Sequence, residues 1–171
     1  MSCCPEGSHA GQPGAPGATG QVVDIGGRHV YRVGSGEKAI LLISDIFGFD
    51  GGRIRNIADE LAHEGYTAIV PDFYDGKPWP ADKALGPDLM AWIASIHYQP
   101  IVDYVLKTLA PQLAKEHKHL SGYIGFCWGS WIGIHILSQD AVHIFKAGVT
   151  AIHLLKSKQS SVGTSSRLLR K

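Results

Sequence analysis

From Gln21 onward the chain switches between two spacings of apolar residues. Lys38 to Ile43 (KAILLI) and Thr67 to Pro71 (TAIVP) are short unbroken apolar runs, the pattern of parallel strands covered on both faces. Between them Ile54, Ile57, Ala58 and Leu61 recur at i, i+3, i+4 and i+7, and Gly65 stands where a helix would close. This spacing predicts a helix over Gly52 to Glu64. Strand, helix and strand in that order make a βαβ unit, which needs a parallel pair and a right-handed crossover. Upstream, QVVDIGGRHVYRV reads as two β segments turning at Gly26-Gly27. Gly34-Ser35-Gly36 is half of a dinucleotide fingerprint, but it precedes a strand and has no third glycine in register, so it reads as a turn.

Residues 74 to 99 show no clean period beyond a short helix near Leu89 to His97. With Trp79 and Trp92 they read either as a roof over a pocket or as a surface excursion anchored by the tryptophans. Pro100 suits a helix first turn, and Ile101, Val102, Val105, Leu106 and Leu109 then share one face. Pro111 is expected to kink or end that helix. Leu120 to Gln139 (LSGYIGFCWGSWIGIHILSQ) then runs from an apolar strand through Gly125-Phe126-Cys127-Trp128-Gly129 into an amphipathic helix, and Ala147 to Ile152 is a further strand. The alternation predicts a doubly wound, mostly parallel α/β sheet. Residues 1 to 20, with glycines at 11, 14, 17 and 20, read as a flexible Gly/Pro-rich arm, since so few Gly-X-Y triplets make no triple helix.

The stretch around Cys127 carries the chemistry. A chain that turns from strand to helix within one residue needs small residues two before and two after the turn, and Gly125 and Gly129 stand there. Such an elbow lifts a nucleophile, here the Cys127 sulfur, above the sheet edge and beside the first N–H groups of the next helix, whose dipole favours thiolate. The backbone N–H of Trp128 then points to where an oxyanion would form. An isolated GxCxG also fits a buried structural cysteine; strand before and helix after favour the elbow. Asp45 and Cys127 each follow the end of a strand, so both belong to the rim where open parallel sheets bind ligands. On neighbouring strands, with backbones about 4.8 Å apart, a carboxylate there reaches the thiol. Position alone favours reading Asp45 as a helix N-cap or turn residue.

Composition narrows the classes. At 171 residues, 44% hydrophobic and 18% charged, the chain fits one domain with a real core. A formal charge of +1 gives no general attraction to nucleic acid or anionic membrane, and the nine histidines lack ligand spacing, so no metal is suggested. No apolar run approaches the ~18 residues of a membrane span, and no signal-peptide stretch opens the chain. A cytoplasmic location is the resulting expectation. Cys3 and Cys4 read as two thiols on the arm, since three cysteines make no disulfide framework.

Asp45-Ile46-Phe47-Gly48, Val70-Pro71-Asp72-Phe73-Tyr74 and Gly125-Phe126-Cys127-Trp128-Gly129, in that order and separation, resemble the dienelactone hydrolase family of the α/β-hydrolase fold over roughly residues 21 to 153. The resemblance implies a thiol nucleophile at Cys127, an oxyanion hole from the backbone N–H groups of Ile46 and Trp128, and a carboxylate at Asp45 that holds the resting thiol and takes its proton. It also implies hydrolysis of cyclic or carboxylic esters, with a small-molecule ester or lactone as substrate, through a thioester and without metal or organic cofactor.

The later part of the chain departs from that pattern. In α/β-hydrolases the acid and the histidine follow the nucleophile on later strand-end loops. Past Cys127 the one carboxylate is Asp140, at the far end of the elbow's own helix, and residues 156 to 171 form a divergent basic tail. His153 matches a non-catalytic histidine of the family better than the triad member, and His135 and His143 read as ordinary helix and loop residues. The expectation is thus an incomplete family domain over residues 21 to 155, an α/β-hydrolase-type sheet without its last strands. It is either a thiol-dependent hydrolase or a catalytically inactive chain acting at most as a binding domain. A flavodoxin-like nucleotide binder is disfavoured because Asp45-Ile46-Phe47-Gly48 offers an acid where a phosphate would sit. Loss of neighbours would leave the Ala147 strand an exposed edge.

Overall fold

The computed structural model describes residues 17–116 and 118–151. Cys3, Cys4, Ile152, His153, the basic tail and most of the arm lie outside them. Six strands form one sheet in the order β1-β2-β4-β3-β5-β6. They are β1 (Gln21–Asp24), β2 (His29–Val33), β3 (Lys38–Ile43), β4 (Thr67–Pro71), β5 (His119–Phe126) and β6 (Ala147–Ala151). The β1-β2 hairpin turns at Gly26-Gly27, both with positive φ, and β2 joins β4 antiparallel. From β4 to β6 every pair is parallel, and β3 lies directly against β5 with Ile43 opposite Gly125. The adjacency on which an Asp45–Cys127 encounter depends is therefore present.

Because side chains alternate across a strand, the continuous apolar runs feed both faces. Leu41, Ile43 and Ile69 join Val102, Val105, Leu109, Leu113, Ile132 and Ile136 in one core. Leu42, Ala68 and Val70 join Ile54 and Ala58 of α1 (Ile54–His63) in the other. The first face carries α3 (Tyr98–Tyr104), a π-helical turn (Val105–Leu109), α4 (Ala110–Lys115) and α5 (Trp128–Gln139), with α2 (Pro87–Ser95) leading into it. Thr19 and Gly20, at the end of the segment read as an arm, donate to the Asp59 carboxylate (3.0 Å) and the Tyr31 hydroxyl (2.8 Å).

Two local expectations change. Pro111 does not end its helix but follows a π turn that interrupts the regular ladder: the Ala110 N–H reaches back five residues to the Val105 carbonyl. The wider turn falls where a proline supplies no N–H and where its ring would strike the carbonyl four residues earlier. The elbow helix α5 is also apolar nearly all round instead of amphipathic. Its inner face buries Trp128, Ile132 and Ile136, while its outer face exposes Trp131 (41%), Ile134 (55%) and Leu137 (40%).

Tyr123 of β5 fixes how α5 and β6 approach. A Cβ on Gly133 of α5 or on Gly148 of β6 would collide with opposite edges of its ring, so the ring fits a slot that only two glycines leave open. Strand β6 then closes the sheet among the described residues with all five positions exposed, the edge expected from the sequence. Asp140, the carboxylate after Cys127, is buried and accepts from the Ile144 and Phe145 N–H groups at 3.0 and 2.9 Å, so it ties the end of α5 to the loop before β6.

Gly133→Ala or Gly148→Ala is expected to lower stability by about 1–3 kcal/mol through overpacking against Tyr123, measured by urea unfolding; an unchanged midpoint would refute the slot. Burial pushes the phenols of Tyr31 and Tyr104 up to about 12, with the Asp59 hydrogen bond adding at Tyr31, and raises Tyr74 and Tyr123 as well. A raised folded-state value means the folded chain holds these protons longer than the unfolded one. The stabilisation is complete below the ordinary tyrosine value near 10 and is lost as pH rises toward about 12. Stability followed by circular dichroism should fall over that window, with tyrosinate absorbance appearing late; a flat stability profile across it would contradict this packing.

Candidate active site

The elbow is built from strain and two close approaches. Cys127 sits between β5 and α5 with φ 51° and ψ −112°, a backbone that side chains other than glycine rarely adopt. Its N–H donates to the Ala151 carbonyl of β6 (3.0 Å), and its carbonyl accepts from the Ser130 N–H (3.0 Å). A Cβ on Gly125 would stand 2.5 Å from the Gly129 carbonyl oxygen. A Cβ on Gly129 would collide with the Ile43 carbonyl and stand 2.6 Å from that of Ser44. Small residues at both positions thus let the first turn of α5 rest on the end of β3. The buried Ser130 hydroxyl closes the bend with a 2.8 Å bond to the Gly125 carbonyl. Cys127 itself is exposed at this lip.

Beyond β3, Asp45 accepts the Phe47 N–H on its carboxylate (2.9 Å), and its carbonyl accepts the Gly48 N–H (3.2 Å). The turn-residue reading of Asp45 is therefore correct as far as it goes, and its place on the rim beside β5 also stands. Ile46 follows, buried, in the same turn. The turn is held from the other side by the segment after β4. The buried Asp72 carboxylate accepts the Tyr74 N–H (3.0 Å) and the Gly76 N–H (2.6 Å), which bends that segment back. The Tyr74 hydroxyl then donates to the Asp45 carbonyl (2.9 Å) and the Trp79 N–H to the Ile46 carbonyl (2.8 Å).

Tyr74 was legible as part of a motif, but nothing in the sequence gave it this reach. Its ring packs on Trp128 (4.9 Å between centroids) and Trp92 (5.2 Å), and Trp92 in turn meets Trp79. Of the two readings for residues 74 to 99, the surface excursion is the one observed: most of the stretch is exposed, buried Trp79 and partly buried Trp92 anchor it, and none of it lines the rim cavity. Burial raises the Tyr74 phenol well above its ordinary value, with the charges of Asp45, Cys127 and Asp72 adding, so it stays a hydrogen-bond donor. A cavity of about 140 Å³ adjoins the rim, lined by Asp45, Gly51, Gly52, Arg53, Ile54, Ile57 and Phe126. Two buried polar groups beside the elbow, the Ser44 hydroxyl and the Trp128 indole N–H, have no protein partner among the described residues. A larger cavity of about 450 Å³, lined in part by Lys118, His119, His143 and Lys146, lies at the opposite end of β5 from Cys127. Among the described residues no three His, Cys, Asp or Glu side chains cluster as metal ligands. No helix there is long and apolar enough to cross a membrane.

The sequence profile of the dienelactone hydrolase family matches residues 25–161. The chain belongs to the dienelactone hydrolase family. Relatives include the human carboxymethylenebutenolidase homolog, 34% identical over 128 residues that span 71% of this chain and 49% of the human protein. The Xenopus tropicalis homolog of the same name is 32% identical over 146 residues, 82% of this chain and 57% of its own. Among solved structures, a Klebsiella pneumoniae protein described as a dienelactone hydrolase superposes with a TM-score of 0.59 at 24% identity, covering 75% of this chain and 56% of that one. That likeness establishes the α/β-hydrolase-type fold. The chain spans about half the length of the human relative it matches.

In this dienelactone hydrolase-family chain the strain at Cys127 has a measurable sign. At an ordinary position Gly is less stable than Ala by roughly 0.5–1 kcal/mol. At φ 51° the order should reverse, with Cys127→Gly more stable than Cys127→Ala by about 1 kcal/mol. Thermal unfolding of the two variants decides it; Ala at or above Gly would mean an unstrained bend.

Proposed function

We propose that this chain carries the acylating half of a thiol-dependent hydrolase acting on small lactones or carboxylic esters. The observation that carries the reading is an exposed cysteine on a strained, glycine-flanked bend, with a rim carboxylate in the turn just past the neighbouring strand. In this reading the Cys127 S–H proton passes to the Asp45 carboxylate, and the sulfur attacks the ester carbonyl carbon. The oxyanion of the tetrahedral adduct is held by the backbone N–H groups of Ile46 and Trp128. As the C–O bond breaks, the leaving alkoxide takes the proton from Asp45, and a thioester remains on Cys127. The cavity beside the rim has both Asp45 and Arg53 in its lining, and an arginine there offers a counter-charge to a substrate carboxylate.

Hydrolysis of the thioester needs a water activated by a base, the part a histidine and its acid play in this fold class. Asp140 is spent on backbone N–H groups, and His135 is stacked on Tyr98 in the second turn of α5. His143 lines the cavity at the far end of β5. We therefore read the chain as able to acylate, with neither Asp140 nor the described histidines of the later part of the chain, His135 and His143, placed beside Cys127 to speed deacylation. Mixing with p-nitrophenyl acetate is expected to release about one equivalent of nitrophenolate in a burst with little steady-state release, and Cys127→Ala should abolish it. Sustained turnover that needs Cys127 would overturn the deacylation reading. Absence of any burst would overturn the nucleophile reading.

A further inference from the structure

We propose that Tyr74 is the positioning residue of the oxyanion hole, acting through the Asp45–Ile46 peptide; this rests on the acylating role of Cys127. The Tyr74 hydroxyl donates to the Asp45 carbonyl at 2.9 Å, and that carbonyl shares one planar unit with the Ile46 N–H. In a trans peptide the oxygen and the hydrogen point to opposite sides of the C–N bond. Fixing the oxygen therefore fixes the direction of the hydrogen, and the unit loses its freedom to flip. A donor on the carbonyl also polarises the amide and makes its N–H the stronger donor.

The rest of the environment supports one orientation. The Gly48 N–H shares the Asp45 carbonyl at 3.2 Å, and the Trp79 N–H holds the following carbonyl, that of Ile46, at 2.8 Å. Peptide units on both sides of Ile46 are thus pinned from the segment after β4. The same tyrosine ring packs 4.9 Å from the Trp128 indole, so one side chain braces both residues whose amides would hold the oxyanion. Its own place is fixed by the Asp72 carboxylate on its N–H (3.0 Å). The phenol is buried and keeps its proton across the working range, so the support does not vary with pH there.

The test compares two reactions at the same sulfur. Acylation by p-nitrophenyl acetate forms an oxyanion; alkylation by iodoacetamide displaces iodide and forms none. Tyr74→Phe keeps the ring and removes the hydroxyl. It is expected to slow acylation of Cys127 about tenfold, less than loss of a whole oxyanion donor, while alkylation stays within about twofold. A perturbation of the thiol or of folding would slow both reactions together, and that result overturns the proposal, as does an unchanged acylation rate. If the unsubstituted chain is alkylated but never acylated, the nucleophile reading fails and this proposal with it, an outcome distinct from equal acylation in chain and variant. Should Tyr74→Phe not fold, 3-fluorotyrosine at position 74, a stronger donor of nearly the same shape, is expected to raise the ratio of acylation to alkylation; an unchanged or lower ratio overturns the proposal.

Discussion

The site depends on the contact between the first turn of α5 and the end of β3. With any side chain at 129, the helix would be pushed off the Ile43 and Ser44 carbonyls, and the amide after Cys127 would leave the neighbourhood of the Asp45–Ile46 turn. Gly125 serves the same contact from within the bend, since its missing Cβ leaves room for the Gly129 carbonyl. The cost is a cysteine held at positive φ. That local strain is tolerable because the parallel pairing of β3, β5 and β6 and the hydrogen bonds of Ser130 define the backbone on both sides of it.

A second layer of constraint comes from sequence-distant polar groups that do no chemistry themselves. Asp72 bends the chain after β4, which lets Tyr74 and Trp79 hold the turn that follows β3. In this chain DIFG supplies the turn and VPDFY supplies its clamp. The aromatic row from Trp79 through Trp92 and Tyr74 to Trp128 covers that clamp and keeps solvent from competing for its hydrogen bonds.

The sheet, its mostly parallel order and the elbow were legible because they rest on local patterns: apolar runs at Lys38 and Thr67, a 3.6-residue period at Ile54, and glycines two either side of Cys127. The common rim of Asp45 and Cys127 followed from topology, since both come just past the ends of neighbouring strands. What stayed hidden depends on pairs distant in sequence. Tyr74 reaches a carbonyl 29 residues away, and Tyr123 is gripped by glycines on two other elements. That a π turn would let the helix run on through Pro111 was not legible, because such a turn is set by packing as well as by the local residues. The elbow helix misled through its outer stripe of Trp131, Ile134 and Leu137, which is apolar yet exposed. Among the described residues, that stripe and the edge strand β6 are the surfaces least like those of a closed domain.

The central claim is that Cys127 is the nucleophile because the bend presents it, and the most direct measurement is the position of the acyl group after brief exposure to p-nitrophenyl acetate at neutral pH. Peptide mapping by mass spectrometry should find one hydroxylamine-labile adduct, on the peptide containing Cys127, with Cys3 and Cys4 largely unmodified. An adduct spread over the three cysteines in proportion to exposure, or its absence from Cys127, would contradict the account.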